Sequence, residues 1–186
     1  GDRNHESRDE RKELFKKVIM DNYHRKGSLI MPTFSLERSQ ELLFEINNLL
    51  RNKEIPEMPV YLDSPLAIKL TDVYHKHSEC FNTDARARIK SGDDIFDFPG
   101  LKITSETDES KAILHSSNPK IIIAGSGMSN GGRIIHHEVN YLPERNNTLL
   151  LTGYQSVGTL GRLIEEGMKS VHISGQEVAV KAHIEK

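Results

Sequence analysis

The chain has 186 residues, 25 Lys+Arg against 27 Asp+Glu, 36 % hydrophobic residues, one cysteine and no tryptophan, which suits one globular domain of ordinary size. No apolar run approaches the roughly 18 residues of a membrane span, and the charged start GDRNHESRDERKE does not read as a signal peptide, so a cytoplasmic protein with no membrane partner is expected. Cys80 alone excludes a disulfide framework and multi-cysteine zinc sites, and the formal charge of -2 argues against a strongly basic nucleic-acid binder.

Between Glu6 and His24, Leu14, Phe15, Val18, Ile19 and Tyr23 fall at helical spacing, which predicts an amphipathic helix lying on a sheet. Gly27 breaks it, Ser28 to Phe34 reads as a short buried strand ending in a turn, and Ser35 is the expected N-cap of a helix striped by Leu42, Leu43, Ile46, Leu49 and Leu50. The unit then repeats in kind: strand Pro59–Leu62, an Asp63-Ser64-Pro65 cap, and a helix from Leu66 to His75. From about 79 to 118 the signals weaken into a less regular excursion, with a helix only over Asp108–Ser116. Lys120–Ala124 is the clearest strand, followed by the turn Gly125-Ser-Gly-Met-Ser-Asn-Gly-Gly132 and a helix over Arg133–Tyr141. Thr148–Thr152 is another strand, Thr159 opens a helix after Gly153–Gly158, and Val171–Ile173 with Glu177–Ile184 suggest a C-terminal β-hairpin. Helical and continuous apolar segments taking turns imply an α/β fold: a Rossmann-like three-layer domain, residues 1–186, with a mostly parallel sheet flanked by helices.

In such a sheet, ligands bind where strands end and helices begin, because backbone N–H groups and helix dipoles converge there on an anion. Four turns qualify: Pro32–Ser35, Asp63–Pro65, Gly125–Gly132 with Arg133, and Gly153–Thr159 with Arg162. Their small and hydroxyl residues let backbone approach a ligand, and the two arginines suit bidentate phosphate contact. Asp63 and Ser35 serve equally well as simple helix caps. The glycine turn has GxGxxxG spacing and no acid placed to hold a ribose, which argues against a dinucleotide site. His136 and His137 diverge by about 100° on a helix, so at most one of them faces the turn. His75, His77, His115, His172, His183 and Cys80 lack the spacing of a ligand set or an activated thiolate.

Four segments read together carry a resemblance: Met31-Pro-Thr-Phe-Ser-Leu-Glu-Arg-Ser-Gln-Glu-Leu-Leu43, Pro59-Val-Tyr-Leu-Asp-Ser-Pro-Leu-Ala67, Ile123-Ala-Gly-Ser-Gly-Met128 with Gly132-Arg-Ile-Ile-His-His137, and Gly153-Tyr-Gln-Ser-Val-Gly-Thr-Leu-Gly-Arg162. In this order and separation they resemble the β-CASP domain of metallo-β-lactamase-fold nucleases, the family of RNase J and the cleavage subunit of the polyadenylation factor. The resemblance implies an inserted domain excised from such a protein. It implies hydrolysis of RNA phosphodiesters by two zinc ions held in the other domain, and single-stranded RNA lying in a cleft between the two domains. No catalytic residue and no zinc ligand is then expected in this chain, which lacks the His-x-His-x-Asp-His motif and would be inactive alone. A homodimer of the full-length protein is a further expectation. By position in the matching motifs, Ser126, Gly127, Met128, Gly132, Arg133, His136, Gln155, Gly158, Thr159 and Arg162 are the residues expected to contact RNA phosphates and sugars, with Thr33, Ser35 and Arg38 beside them. Glu37 stands where relatives commonly carry glycine. Two other readings stay open: an independent nucleotide-binding domain using the glycine turn, and a dimerisation module presenting Glu177–Ile184 as an edge strand.

Overall fold

The computed structural model describes residues 7–186; Glu6, the predicted start of the first helix, lies outside them. Helix α1 (Arg8–His24) begins in a capping box, in which Ser7 accepts from the Glu10 amide and the Glu10 side chain reaches back to the Ser7 amide. After β1 (Ser28–Pro32), α2 runs over Arg38–Arg51, two residues later than the Ser35 cap would place it. Ser35 does not cap it: the N-cap position is Glu37, whose side chain makes no cap bond. Ser64, rather than Asp63, caps α3 (Pro65–Lys76) after β2 (Val60–Asp63), accepting from the Ala67 amide.

The excursion is more regular than its sequence suggests. It holds α4 (Thr83–Lys90), β3 (Leu101–Ile103) and α5 (Thr107–Ala112), the last continued by a 3-10 turn to His115. Then come β4 (Lys120–Ala124), α6 (Ile134–Tyr141), β5 (Thr148–Leu150) and α7 (Leu160–Glu165). The tail divides differently from the expected hairpin. β6 (Ser170–Ile173) and β7 (Gln176–Ala179) form a separate antiparallel pair, while β8 (His183–Glu185) pairs parallel with β5. Glu177–Ile184 is therefore not one edge strand, because the chain leaves β7 at Val180, bonds the Leu142 carbonyl through the Lys181 and Ala182 amides, and enters the main sheet.

The main sheet has the order β3-β2-β4-β1-β5-β8, and each neighbouring pair is parallel. Its four central strands β2, β4, β1 and β5 are buried on both faces, which explains their continuous apolar runs, whereas the edge strands β3 and β8 are partly exposed. Leu29, Met31, Val60, Leu62, Ile121, Ile123 and Leu150 face one core with α1, α2, α3 and α4. The alternate residues Ile30, Tyr61, Ile122, Ala124, Leu149 and Leu151 face the other, with α6, α7 and the β6–β7 hairpin. This gives the three layers. β1 passes through α2 on the first face to β2, and β4 passes through α6 on the second face to β5. Opposite faces and opposite directions give both crossovers the same hand. The chain thus diverges from adjacent strands β1 and β4, which creates a crevice at their C-terminal ends. Among the described residues, no helix is long and apolar enough to cross a membrane.

Candidate functional site

Four loops surround this crevice, following β2, β4, β1 and β5 in spatial order. All four turns singled out in the sequence are there. At the β1 end, Thr33 is buried and its amide donates to Ala124 O at 2.9 Å, while its hydroxyl lies 3.0 Å from that of Ser39. The Ser35 and Ser64 hydroxyls meet at 3.2 Å across the crevice. Glu37, at φ 68° and ψ -64°, closes a tight turn in which the Arg38 amide donates to Leu36 O at 2.8 Å. The Arg38 guanidinium is paired with Glu41 at 2.7 Å, along its own helix.

The glycine turn is bound chiefly to its neighbours. Ser126 donates its amide to Gly131 O and accepts from the Asn130 amide, both at 3.2 Å. A Cβ on Gly127 would lie 2.8 Å from the Phe34 ring, and Gly132 has φ 72° with its Cα facing the Gly125 carbonyl. These glycines let loops approach one another, a role the sequence does not separate from approach to a ligand. The β5 loop clamps the turn from the far side. Buried Gln155 donates to Gly127 O at 3.0 Å and Gly153 O at 2.9 Å, the Gly161 amide donates to Met128 O, and the Leu160 amide donates to Asn130 Oδ1. Thr159 caps α7 by accepting from the Arg162 amide, and Gly158 precedes it at φ 87°. The first N–H groups of α7 are thus taken by the protein rather than presented to an anion. Arg162 is half-buried and pairs with Glu166 at 2.7 Å and Glu165 at 3.4 Å.

Arg133 departs furthest from a phosphate-contacting role. Its guanidinium turns inward to Asp63 Oδ1 at 2.7 Å and to the carbonyls of Thr104 and Ser105 at 2.8 and 2.7 Å. Asp63 is fully buried and also accepts from Thr104 Oγ1, Ser110 Oγ and His137 Nε2, at 2.9, 2.6 and 2.6 Å. Burial alone would raise the Asp63 carboxyl. Hydrogen bonds from His137, Ser110 and Arg133 outweigh it and hold the group at about 2. The carboxylate is therefore ionised and His137 donates from Nε2. One side chain at the end of β2 ties together the segment after β3, α5 and the first turns of α6. The Arg133-x-x-x-His137 spacing, which sets both side chains on one helix face, is the sequence signal that could have found this node.

On the same helix Glu138 is fully buried, bonded through Oε1 to the Ser129 hydroxyl, with Oε2 lacking a partner among the described residues. Burial pushes its carboxyl up to about 8 despite the opposing Ser129 bond. His136, by contrast, is exposed, and its carbonyl receives the Asn140 amide at 2.6 Å. The loops thus carry the hydroxyls of Ser35 and Ser64, bonded to each other, the backbone of Ser126, Gly127, Met128 and Gly132, of which the Gly127 and Met128 carbonyls are already taken, and, on α6, the exposed His136. Arg133, Gln155 and Thr159 hold the loops in place. Among the described residues, no three His, Cys, Asp or Glu side chains converge to hold a metal ion.

The sequence pattern of the Beta-Casp domain matches residues 39–164. Over 99 % of its length the chain is 34 % identical to ribonuclease TTHA0252 of Thermus thermophilus, of which the match covers 42 %. It is 32 % identical to an RNase J-like protein of Methanocaldococcus jannaschii, over 90 % of this chain and 38 % of that protein. It is 34 % identical to transcription termination factor FttA of Methanococcus maripaludis, over 94 % of this chain and 27 % of the other. The chain thus spans less than half the length of these relatives. The matched pattern runs from α2 into α7 and encloses the crevice loops that follow β2, β4 and β5, and on that coincidence of sequence and architecture the chain belongs to the Beta-Casp family.

Proposed function

We propose that this chain is the RNA-holding domain of a ribonuclease, forming one wall of a cleft whose other wall is a metallo-β-lactamase domain. The observation that carries the reading is the end-to-end match to a ribonuclease in a chain whose four motif loops converge on one switch-point crevice. Single-stranded RNA is the ligand of that crevice. Ser35, Ser64, His136 and the backbone of Ser126–Met128 and Gly132 face it. Asp63, Arg133, Gln155 and Thr159 act as positioning residues that fix the loops beforehand, so that binding does not have to order them. The two zinc ions implied by the family would supply the hydrolytic chemistry. The described residues hold no ligand set for them, and they belong to the other wall. The setting is RNA processing or decay in the cytoplasm, by a full-length protein that forms a homodimer.

Affinity of this wall alone is micromolar or weaker, since Arg38, Arg133 and Arg162 are each paired with a carboxylate and few phosphates are neutralised. Photocrosslinking a 4-thiouridine-containing single-stranded RNA to the chain, followed by peptide mapping, tests the placement. Crosslinks are expected within 33–38, 64–66, 125–136 and 153–159. Crosslinks concentrated on α1 or on the β6–β7 hairpin contradict it.

A further inference from the structure

The charges near the crevice are largely consumed: Arg133 by Asp63, Arg38 by Glu41, Arg162 by Glu165 and Glu166. What the rim leaves open is apolar, the aliphatic Leu36, Leu66 and Val157 and two aromatics, of which the aromatics carry a π-face. Phe34 is 49 % exposed although it follows the fully buried β1, and Tyr154, at the end of neighbouring β5, is 62 % exposed. Both loops converge on Gly127. The Phe34 ring lies against it, where a Cβ would come within 2.8 Å, and Gln155, the residue after Tyr154, donates to its carbonyl at 3.0 Å. Thr152 Oγ1 donates to Pro32 O at 2.9 Å, joining the roots of the two loops. Each aromatic is therefore mounted on rigid backbone at one place, with ring surface facing solvent and its ordering cost already met by the fold.

We propose that Phe34 and Tyr154 form a stacking platform for unpaired nucleobases, so that this wall of the cleft holds RNA by its bases more than by its phosphates. The assignment rests on the RNA reading above and specifies its chemistry. Every base has a π-face, and stacking on an aromatic side chain is worth roughly 1–3 kcal/mol per base, or about 5- to 150-fold in affinity. Such a platform accepts single strands of any sequence and rejects duplexes, whose bases are already stacked. With few phosphates neutralised, binding varies little with salt, unlike that of a basic groove.

The test compares a short oligo(A) with an abasic ribose-phosphate oligomer of the same length and charge, both titrated into the whole chain. Oligo(A) is expected to bind at least about tenfold tighter than the abasic strand. Tyr154→Ala is expected to lower affinity for oligo(A) by about 5-fold or more while leaving the abasic strand unaffected. Tyr154 is the variant of choice because its ring is open to solvent, whereas Phe34 packs on Gly127. Tyr154→Trp introduces a tryptophan into a chain that has none, and oligo(A) should quench its fluorescence where the abasic strand does not. Equal binding of the two strands overturns the platform and leaves the RNA reading standing. Binding of neither overturns both. A concentration-dependent dimer that Tyr154→Ala dissolves makes the patch a protein interface and overturns the platform.

Discussion

Glu37 sits at φ 68° and ψ -64°, between the Leu36 carbonyl and the Arg38 amide it brings to 2.8 Å. A Cβ at such a position costs of order 1–3 kcal/mol, part of which glycine returns to the unfolded chain as entropy. Glu37→Gly is therefore expected to stabilise the fold by about 1 kcal/mol, raising Tm by roughly 2–4 °C in calorimetry. Glu138 gives the second residue-scale prediction. Its carboxyl is held up to about 8 by burial, against an ordinary 4.5. The folded chain retains a proton that the unfolded chain loses, so this stability is complete below about pH 4.5 and drains away as pH rises to about 8, with a slope approaching about 1.4 kcal/mol per pH unit. Urea midpoints for wild type and Glu138→Gln should converge at low pH and separate toward pH 8 with the variant more stable. Parallel profiles contradict this. The Ser35 cap put Glu37 in the first turn of a helix, with the glycine of relatives as the one hint of its backbone angle, and Glu138 read as one more polar residue on a helix, since backbone angle and burial are set by tertiary packing.

The glycine turn and α7 form a coupled pair of elements. Cβ on Gly161 would run into Gln155 Oε1, the amide that clamps Gly127. Gly161→Ala is expected to cost about 1–3 kcal/mol, and Gln155→Ala, by removing the obstructing oxygen, should restore part of that loss in the double variant. Additivity in chemical denaturation would show that the two do not touch. The Asp63 node couples more elements. Asp63→Asn leaves Arg133 without its buried anion and should cost about 3–5 kcal/mol. The Asp63 carboxyl is held at about 2 against an ordinary 3.8, so the wild-type contribution is present above about pH 3.8 and lost as pH falls through about 2. A profile that Asp63→Asn leaves unchanged below about pH 4 contradicts the node. At this scale the helices and buried strands were legible where period and burial agree, as in Leu42–Leu49 and Lys120–Ala124. β3 was not: Leu101–Ile103 is three residues long with two exposed, too short for a period to show. The tail misled because Val178, Val180 and Ala182 continue the alternating apolar pattern while the Lys181 and Ala182 amides turn away to Leu142.

For the whole molecule, the balanced charge and the absent metal-ligand motif acquire a physical setting. The -2 chain has its crevice arginines paired with carboxylates, Arg133 with buried Asp63 and Arg38 and Arg162 with glutamates along their own helices, so on the proposed reading stacking and hydroxyl contacts hold a strand. That four motif loops would meet at strand ends was legible before the fold. The division of labour among them was not, since contacting residues and those that hold the loops share the same small and polar types. On the proposed reading this chain holds RNA while the hydrolytic centre lies on another domain. Incubating end-labelled single-stranded RNA with the pure chain, with and without added zinc, separates the two roles. Weak, reversible binding with the RNA intact is expected in both cases; sustained zinc-dependent cleavage that a chelator abolishes would place the hydrolytic centre on this chain.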